Sequence, residues 1–187
     1  MKKFIVLVLG ILLAIPSYSM KIAGKNLPDT LKFGDATLVL NGAGIRKKFW
    51  VKVYAGGLYL TKKSHNAKAI INADEPMAVR LHFIYDGVSS KKMRGAWEDS
   101  FEEVLSDNEL MKLKNKIKLF ESFFDVETHE DDIWDLVYIP GVGTKVLLNG
   151  KEKGVVPGLD FKKALFSIYL SEKTEIPDVR EAMLGLD

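Results

Sequence analysis

The chain contains no cysteine. Disulfide staples, thiolate zinc sites, iron–sulfur clusters and a cysteine nucleophile are therefore excluded. It also lacks an excess of one charge, with 27 basic residues against 25 acidic ones. Lys2 and Lys3 lie in an N-terminal segment that holds no acid, and without them 25 of each sign remain. Such a balance supplies no broad electrostatic footprint for nucleic acid. There is no internal repeat and no low-complexity linker, and beyond residue 20 no apolar run is long enough to cross a bilayer. What remains is 187 residues, 47% hydrophobic and 28% charged, the composition of one globular domain.

The first residues, MKKFIVLVLGILLAIPSYSM, have the layout of a bacterial secretory leader. Two lysines precede an apolar run from Phe4 to Ile15, Pro16 breaks it, and small residues stand at Ser17 and Ser19. The run is short of the roughly 20 residues a spanning helix needs. Cleavage after Ser19 is the expectation, with residues 1–19 as signal peptide and 20–187 as an exported, periplasmic domain that makes no stable membrane insertion. The alternative is an uncleaved N-terminal anchor.

The mature part opens with β patterning. Ile22, Leu27, Leu31 and Phe33 alternate with turn formers, and ATLVLNGAGIR (Ala36 to Arg46) and FWVKVYAGGLYL (Phe49 to Leu60) are rich in β-branched and aromatic residues. Asn66 to Asn72 suggests a short helix, and Met77 to Tyr85 a strand. Ser89 or Ser90 can cap a helix to about Ser106, with Met93, Trp97, Phe101, Val104 and Leu105 on one stripe. A second helix spans Glu109 to Phe123, its Lys112 to Lys118 face solvated or touching anionic lipid. Strands return at Ile133–Ile139 and Thr144–Leu148, and Asn149-Gly150 is a hairpin signal leading into Lys151–Val156. Helices close the chain near Phe161–Leu170 and Asp178–Leu184. The pattern predicts an α+β fold, an antiparallel sheet with helices packed on one face.

Most constellations fail a chemical test. Gly42-Ala43-Gly44 lacks the third glycine and immediate helix of a dinucleotide loop, so clearance beside a sheet or a bulge is the better reading. His65, His82 and His129 share no metal-ligand spacing. The acids Glu127, Glu130, Asp131 and Asp132 lack the alternation and glycine turn of a calcium loop. There is no G-x-S-x-G elbow. No cofactor or metal is implied.

Arg46 stands apart. By the period of two it shares a face with Leu38, Leu40, Gly42 and Gly44. A guanidinium turned inward there keeps its charge and needs an anion or dense acceptors; the alternative is that it opens an exposed turn, Arg46-Lys47-Lys48. Tyr54 follows eight positions later. A continuous strand or an odd-numbered loop puts the two on one face, whereas a two-residue turn at Lys47-Lys48 separates them unless a bulge intervenes.

LNGAGIRKKFWVKVYAGGLYL (Leu40 to Leu60) resembles the core signature of the chalcone isomerase-like family, in its bacterial exported branch. GLDFKKALFSIYLSEKTEIPDVREAMLG (Gly158 to Gly185) is similar to that branch's closing helix pair, and SSKKMRGAWEDSFEEVL fits the middle helix. The resemblance implies an open-faced β-sandwich, a large antiparallel sheet covered on one side by helices, with a ligand cleft between. It places Arg46 where plant chalcone isomerases hold a phenolate oxygen. Tyr54 stands at the enzymes' threonine, in a region where the fatty-acid-binding members carry tyrosine, and Ser167 falls near the enzymes' late threonine. The middle-helix tyrosine–asparagine pair is absent, with Met93 and Ser100 nearest to it, and Leu170-Ser171 replaces a family glycine. Missing donors of that kind cost on the order of 10² to 10³ each in rate.

The leading expectation is a binding protein for a fatty acid or similar amphiphilic carboxylate, with Arg46 and Tyr54 on the head group. One alternative is a chalcone isomerase-type intramolecular lyase using Arg46, Tyr54 and Ser167. Another is a non-catalytic interaction module whose cleft is filled by its own side chains.

Overall fold

The computed structural model describes residues 19–186. The leader assigned to residues 1–19 lies outside them, except for Ser19. A two-stranded hairpin comes first, β1 (Ser19–Ile22) and β2 (Lys25–Pro28). Seven strands then form one antiparallel sheet: β3 (Thr30–Phe33), β4 (Ala36–Lys48), β5 (Val51–Leu60), β6 (Met77–Phe83), β7 (Ile133–Ile139), β8 (Gly143–Leu148) and β9 (Lys151–Val156). Each strand lies beside its neighbour in sequence. The helices are α1 (Ala67–Asn72), α2 (Ser90–Val104), α3 (Asp107–Ser122), α4 (Leu159–Leu170) and α5 (Pro177–Leu184).

Local chemistry accounts for the boundaries. Asn149 and Gly150 both take positive φ, 50° and 78°, as a two-residue turn matched to strand twist requires. The Ser89 hydroxyl caps α2 by accepting from the Lys92 amide at 3.4 Å. At α3 the Glu109 carboxylate accepts from the Ser106 amide at 2.9 Å. Pro177 occupies the first turn of α5, where its missing N–H is harmless.

The expected strand start at Phe49 is corrected. β4 continues through Lys48, and Phe49-Trp50 form the two-residue turn into β5. Two bulges follow from the pairing. Leu40 faces Tyr59 and Gly42 faces Leu58, so Asn41 is extra on β4; Arg46 faces Tyr54 and Lys47 faces Lys52, so Val53 is extra on β5. The Asn41 side chain donates to the Ser64 and Met183 carbonyls (2.9 and 2.8 Å) and accepts from the Ser64 amide (2.7 Å), which fixes the kink.

The bulge at Asn41 reverses the side-chain alternation along β4. Leu38 and Leu40 join Leu27, Leu31, Ala43 and Tyr59 in a cluster on the outer face of the sheet. Gly42, Gly44 and Arg46 face the helices instead. The expected shared face of Arg46 with Leu38 and Leu40 is therefore wrong, because one inserted residue inverts everything after it. The glycines clear space for α5: a Cβ on Gly42 would lie 2.1 Å from the Ala182 carbonyl oxygen, and one on Gly44 would lie 3.0 Å from the Val179 Cα.

The main core lies between the sheet and the helices and is densely aromatic. Trp97, Phe101, Phe120, Phe124, Phe161 and Trp134 stack in tilted and edge-on pairs. Lys162 is fully buried in this layer. Its ammonium donates to the carbonyls of Ile70, Ile71 and Ala73 at 2.7, 3.0 and 2.8 Å, capping the C-terminus of α1 from another helix. Burial, with the Lys163 charge adding to it, lowers the Lys162 pKa to about 8. On the outer face, Arg80 and Asp135 make a bidentate pair at 2.7 and 2.8 Å across β6 and β7. Beside the hairpin, buried Lys25 is held by Glu130 and Asp131.

Candidate functional site

Arg46 and Tyr54 are direct cross-strand partners on the helix-facing side of the sheet. The two-residue turn alone would have set Arg46 opposite Val53; the extra residue at Val53 moves Tyr54 into place. Arg46 is half-buried and Tyr54 is buried. No carboxylate of the described residues lies within 4.0 Å of the Arg46 guanidinium. Glu103 and Glu175 border the same small cavity without reaching it.

Burial raises the Tyr54 phenol above its ordinary range, and the neighbouring Arg46 charge opposes that rise. Tyr169, on α4, packs beside Tyr54; burial carries its phenol well above the ordinary value, with Tyr54 adding to the rise. The Tyr169 hydroxyl interacts with that of Tyr54, and the buried Trp97 indole N–H beside the Tyr169 ring has no hydrogen-bond partner among the described residues. The two rings lie 6.5 Å apart.

Two spaces open at Arg46. One is a chamber of about 10 Å³ bordered by Ser100, Val104, Ile168, Thr174 and Ile176. It has room for about one water. The other is an open groove of about 530 Å³ between the β4–β5 turn and α2, with Phe49, Val51, Val53, Tyr85, Val88 and Ala96 as its apolar wall. Lys48, Lys92 and Asp99 stand at its edges. The aromatic core around Trp97 and Phe120 fills most of the interior between sheet and helices, so the cleft expected there is confined to the groove between β5 and α2. The accessible space lies beside that core, along the hairpin.

Of the residues singled out from sequence, the fold brings Arg46 and Tyr54 together. Tyr54 lines neither space. Ser167 stands elsewhere on α4. Its hydroxyl donates back to the Lys163 carbonyl at 2.8 Å, one turn earlier, and it borders neither space. Tyr169, two residues on, takes the position beside Tyr54. Sequence reading missed it because Ile168-Tyr169-Leu170 looks like plain core. Met93 is buried in the core, and Ser100 borders the small chamber while donating to the Ala96 carbonyl at 2.7 Å.

The family profile described as chalcone isomerase-like matches residues 19–185, nearly the whole of this architecture. The chain belongs to the chalcone isomerase-like family. No curated protein matches it by sequence. Among solved structures it is similar to a fatty-acid binding protein from Arabidopsis thaliana, with a TM-score of 0.71 and 22% identity. That alignment covers 90% of this chain and 95% of the plant protein. The likeness establishes the shared fold, a curled antiparallel sheet with helices on one side. On that fold this chain sets the Arg46–Tyr54 pair beside the groove under the β4–β5 turn.

Proposed function

We propose that this protein binds an anionic amphiphile, a fatty acid or similar carboxylate, with its head group at Arg46 and its tail along the groove walled by Phe49, Val51, Val53, Tyr85 and Val88. One observation carries the reading: a half-buried guanidinium with no carboxylate of the described residues within 4.0 Å stands at the end of an apolar groove of about 530 Å³. A guanidinium offers a planar fork matched to a carboxylate, and its charge persists at every physiological pH. The groove volume falls in the range that small-molecule sites occupy.

Each buried methylene contributes about 0.8 kcal/mol gross. The ten methylenes of dodecanoate supply about 8 kcal/mol gross and a charge-assisted head-group contact about 1.5–3 more, so with about 4 kcal/mol lost on association the expected Kd is of the order of tens of micromolar. Tyr54 flanks Arg46 on the neighbouring strand. The fatty-acid binding relative in Arabidopsis supports a ligand of this class for the fold. The N-terminal leader pattern supports a periplasmic setting for the exchange.

Calorimetric titration with dodecanoate tests the proposal. Wild-type protein is expected to bind in the micromolar range and Arg46→Ala at least tenfold more weakly, with Arg46→Lys between them because an ammonium keeps the charge but not the fork. Equal affinity in wild type and Arg46→Ala would remove Arg46 from the site.

A further inference from the structure

The β4–β5 turn carries two large aromatic residues fully in solvent. Phe49 is 82% exposed and Trp50 88% exposed, their rings packed on each other at 6.0 Å. Lys47, Lys48 and Lys52 surround them, all exposed. The whole hairpin from Ala36 to Leu60 holds four basic residues, every one at this tip, and no acid. The backbone adds an independent sign. Phe49 sits at φ 57°, a left-handed conformation that glycine or asparagine adopts readily and a bulky residue does not. A turn built for stability alone would carry glycine there; this one keeps an exposed phenyl ring in a strained position.

We propose that this tip is a membrane-docking device: Phe49 and Trp50 enter the headgroup region of an anionic bilayer while Lys47, Lys48 and Lys52 pair with its phosphates. Aromatic rings with basic flanks fit the interface between water and hydrocarbon, and a local cluster of lysines is drawn to an anionic leaflet whatever the net charge of the whole chain. The contact is peripheral, because a two-residue turn reaches only the interface. Phe49 also forms part of the groove wall. Docking therefore sets the groove against the lipid surface, where an amphiphile can pass between bilayer and protein without crossing water. This extends the ligand-binding reading, yet the docking step stands without any ligand.

The test uses ligand-free protein and vesicles of phosphatidylcholine alone or mixed equally with phosphatidylglycerol. Flotation is expected to recover the protein with the anionic vesicles, several-fold less with neutral ones, and less again at 0.5 M salt. Brominated lipid should quench tryptophan emission, and the quenched residue is Trp50, since Trp97 and Trp134 are buried. Trp50→Ala should lower partitioning at least tenfold. Phe49→Gly should lower it similarly while raising the thermal midpoint, which separates docking from folding. Dodecanoate titration of Trp50→Ala without vesicles should match wild type, so a failure of ligand binding is read separately from a failure of docking. Vesicle binding unchanged by Trp50→Ala, or none at all to anionic vesicles, overturns the proposal. So does a dimer in sedimentation velocity that Trp50→Ala abolishes, which would assign the aromatic pair to self-association.

Discussion

Replacing Gly42 with alanine adds a single methyl group, and the structure specifies where that methyl goes. It would sit 2.1 Å from the backbone oxygen of Ala182 and 2.9 Å from that of Met183, both on α5. Ordinary contact requires more than about 3 Å, so α5 must retreat by about 1 Å. The backbone at Gly42 is free of positive φ, so the defect is spatial and not conformational. Val179, Met183 and Leu184 are almost fully buried by the packing of α5. Overpacking of this kind costs about 1–3 kcal/mol where side chains can adjust. Here the obstacle is backbone, and full loss of the three side chains would cost about 5–9 kcal/mol at 1.5–3 each. A loss of about 3–6 kcal/mol is expected, a large share of a typical total stability of 5–15. Gly95→Ala is the internal control. It lies within α2 with nothing inside 4 Å of the new methyl, so it should gain up to about 1 kcal/mol from helix propensity. Urea denaturation of both variants, with matching m-values, reads the difference directly. A Gly42→Ala protein within 1 kcal/mol of wild type would refute the close-packing account of the G-A-G stretch.

Lys162→Met keeps the side-chain volume but leaves the carbonyls of Ile71 and Ala73 without their donor, so stability should fall by about 2–4 kcal/mol and amide exchange in α1 should accelerate; wild-type exchange rates would show that water already serves those carbonyls. Below pH 8 Lys162 is charged in both folded and unfolded states, while between about 8 and its ordinary range the unfolded chain binds more protons, so stability contributed by this group rises with pH there and the rise should vanish in Lys162→Met. Tyrosines behave oppositely. Burial raises the phenols of Tyr54, Tyr59 and Tyr169, and that of Tyr138 to about 12, so their contribution is complete below the ordinary value near 10 and is lost as pH climbs through the folded values. Absorbance titration at 295 nm should show these four tyrosines resisting ionisation near pH 10 before the protein unfolds; their ionising there would contradict the burial.

The parts of this fold that were legible in the sequence are those set by local chemistry. The Asn149-Gly150 turn, the Ser89 cap and the stripes Met93–Trp97–Phe101 and Leu113–Ile117–Phe120 each follow from neighbours within a turn or two, and the strands and helices stand where those signals place them. The bulges are different. Nothing near Asn41 or Val53 announces an extra residue, because each is held by long-range contacts: Asn41 by carbonyls on α5 and at Ser64, Val53 by the Ile84 and Tyr85 amides, which both donate to its carbonyl. Since side-chain direction alternates every residue, those two insertions decide what Arg46 and Tyr54 face. The chemistry-bearing residues could be picked out one by one, but their juxtaposition could not. Lys162 was hidden for a related reason. As one of a pair of lysines on an amphipathic helix it reads as solvent-exposed, and only the arrival of α1 from 90 residues earlier gives its ammonium a reason to be inside.

The sheet is wound so that every strand can add to the one just made, and β3 through β9 can assemble in the order they leave a ribosome. The final helix breaks this sequence, because its berth is the glycine-lined flank of β4, near the beginning. A chain halted before Pro177 would hold a complete sheet with an uncovered seam along Gly42 and Gly44. Helix α5 thus closes the flank of the first long strand, and a product cut off before it would be left with an open flank for chaperones or proteases to find.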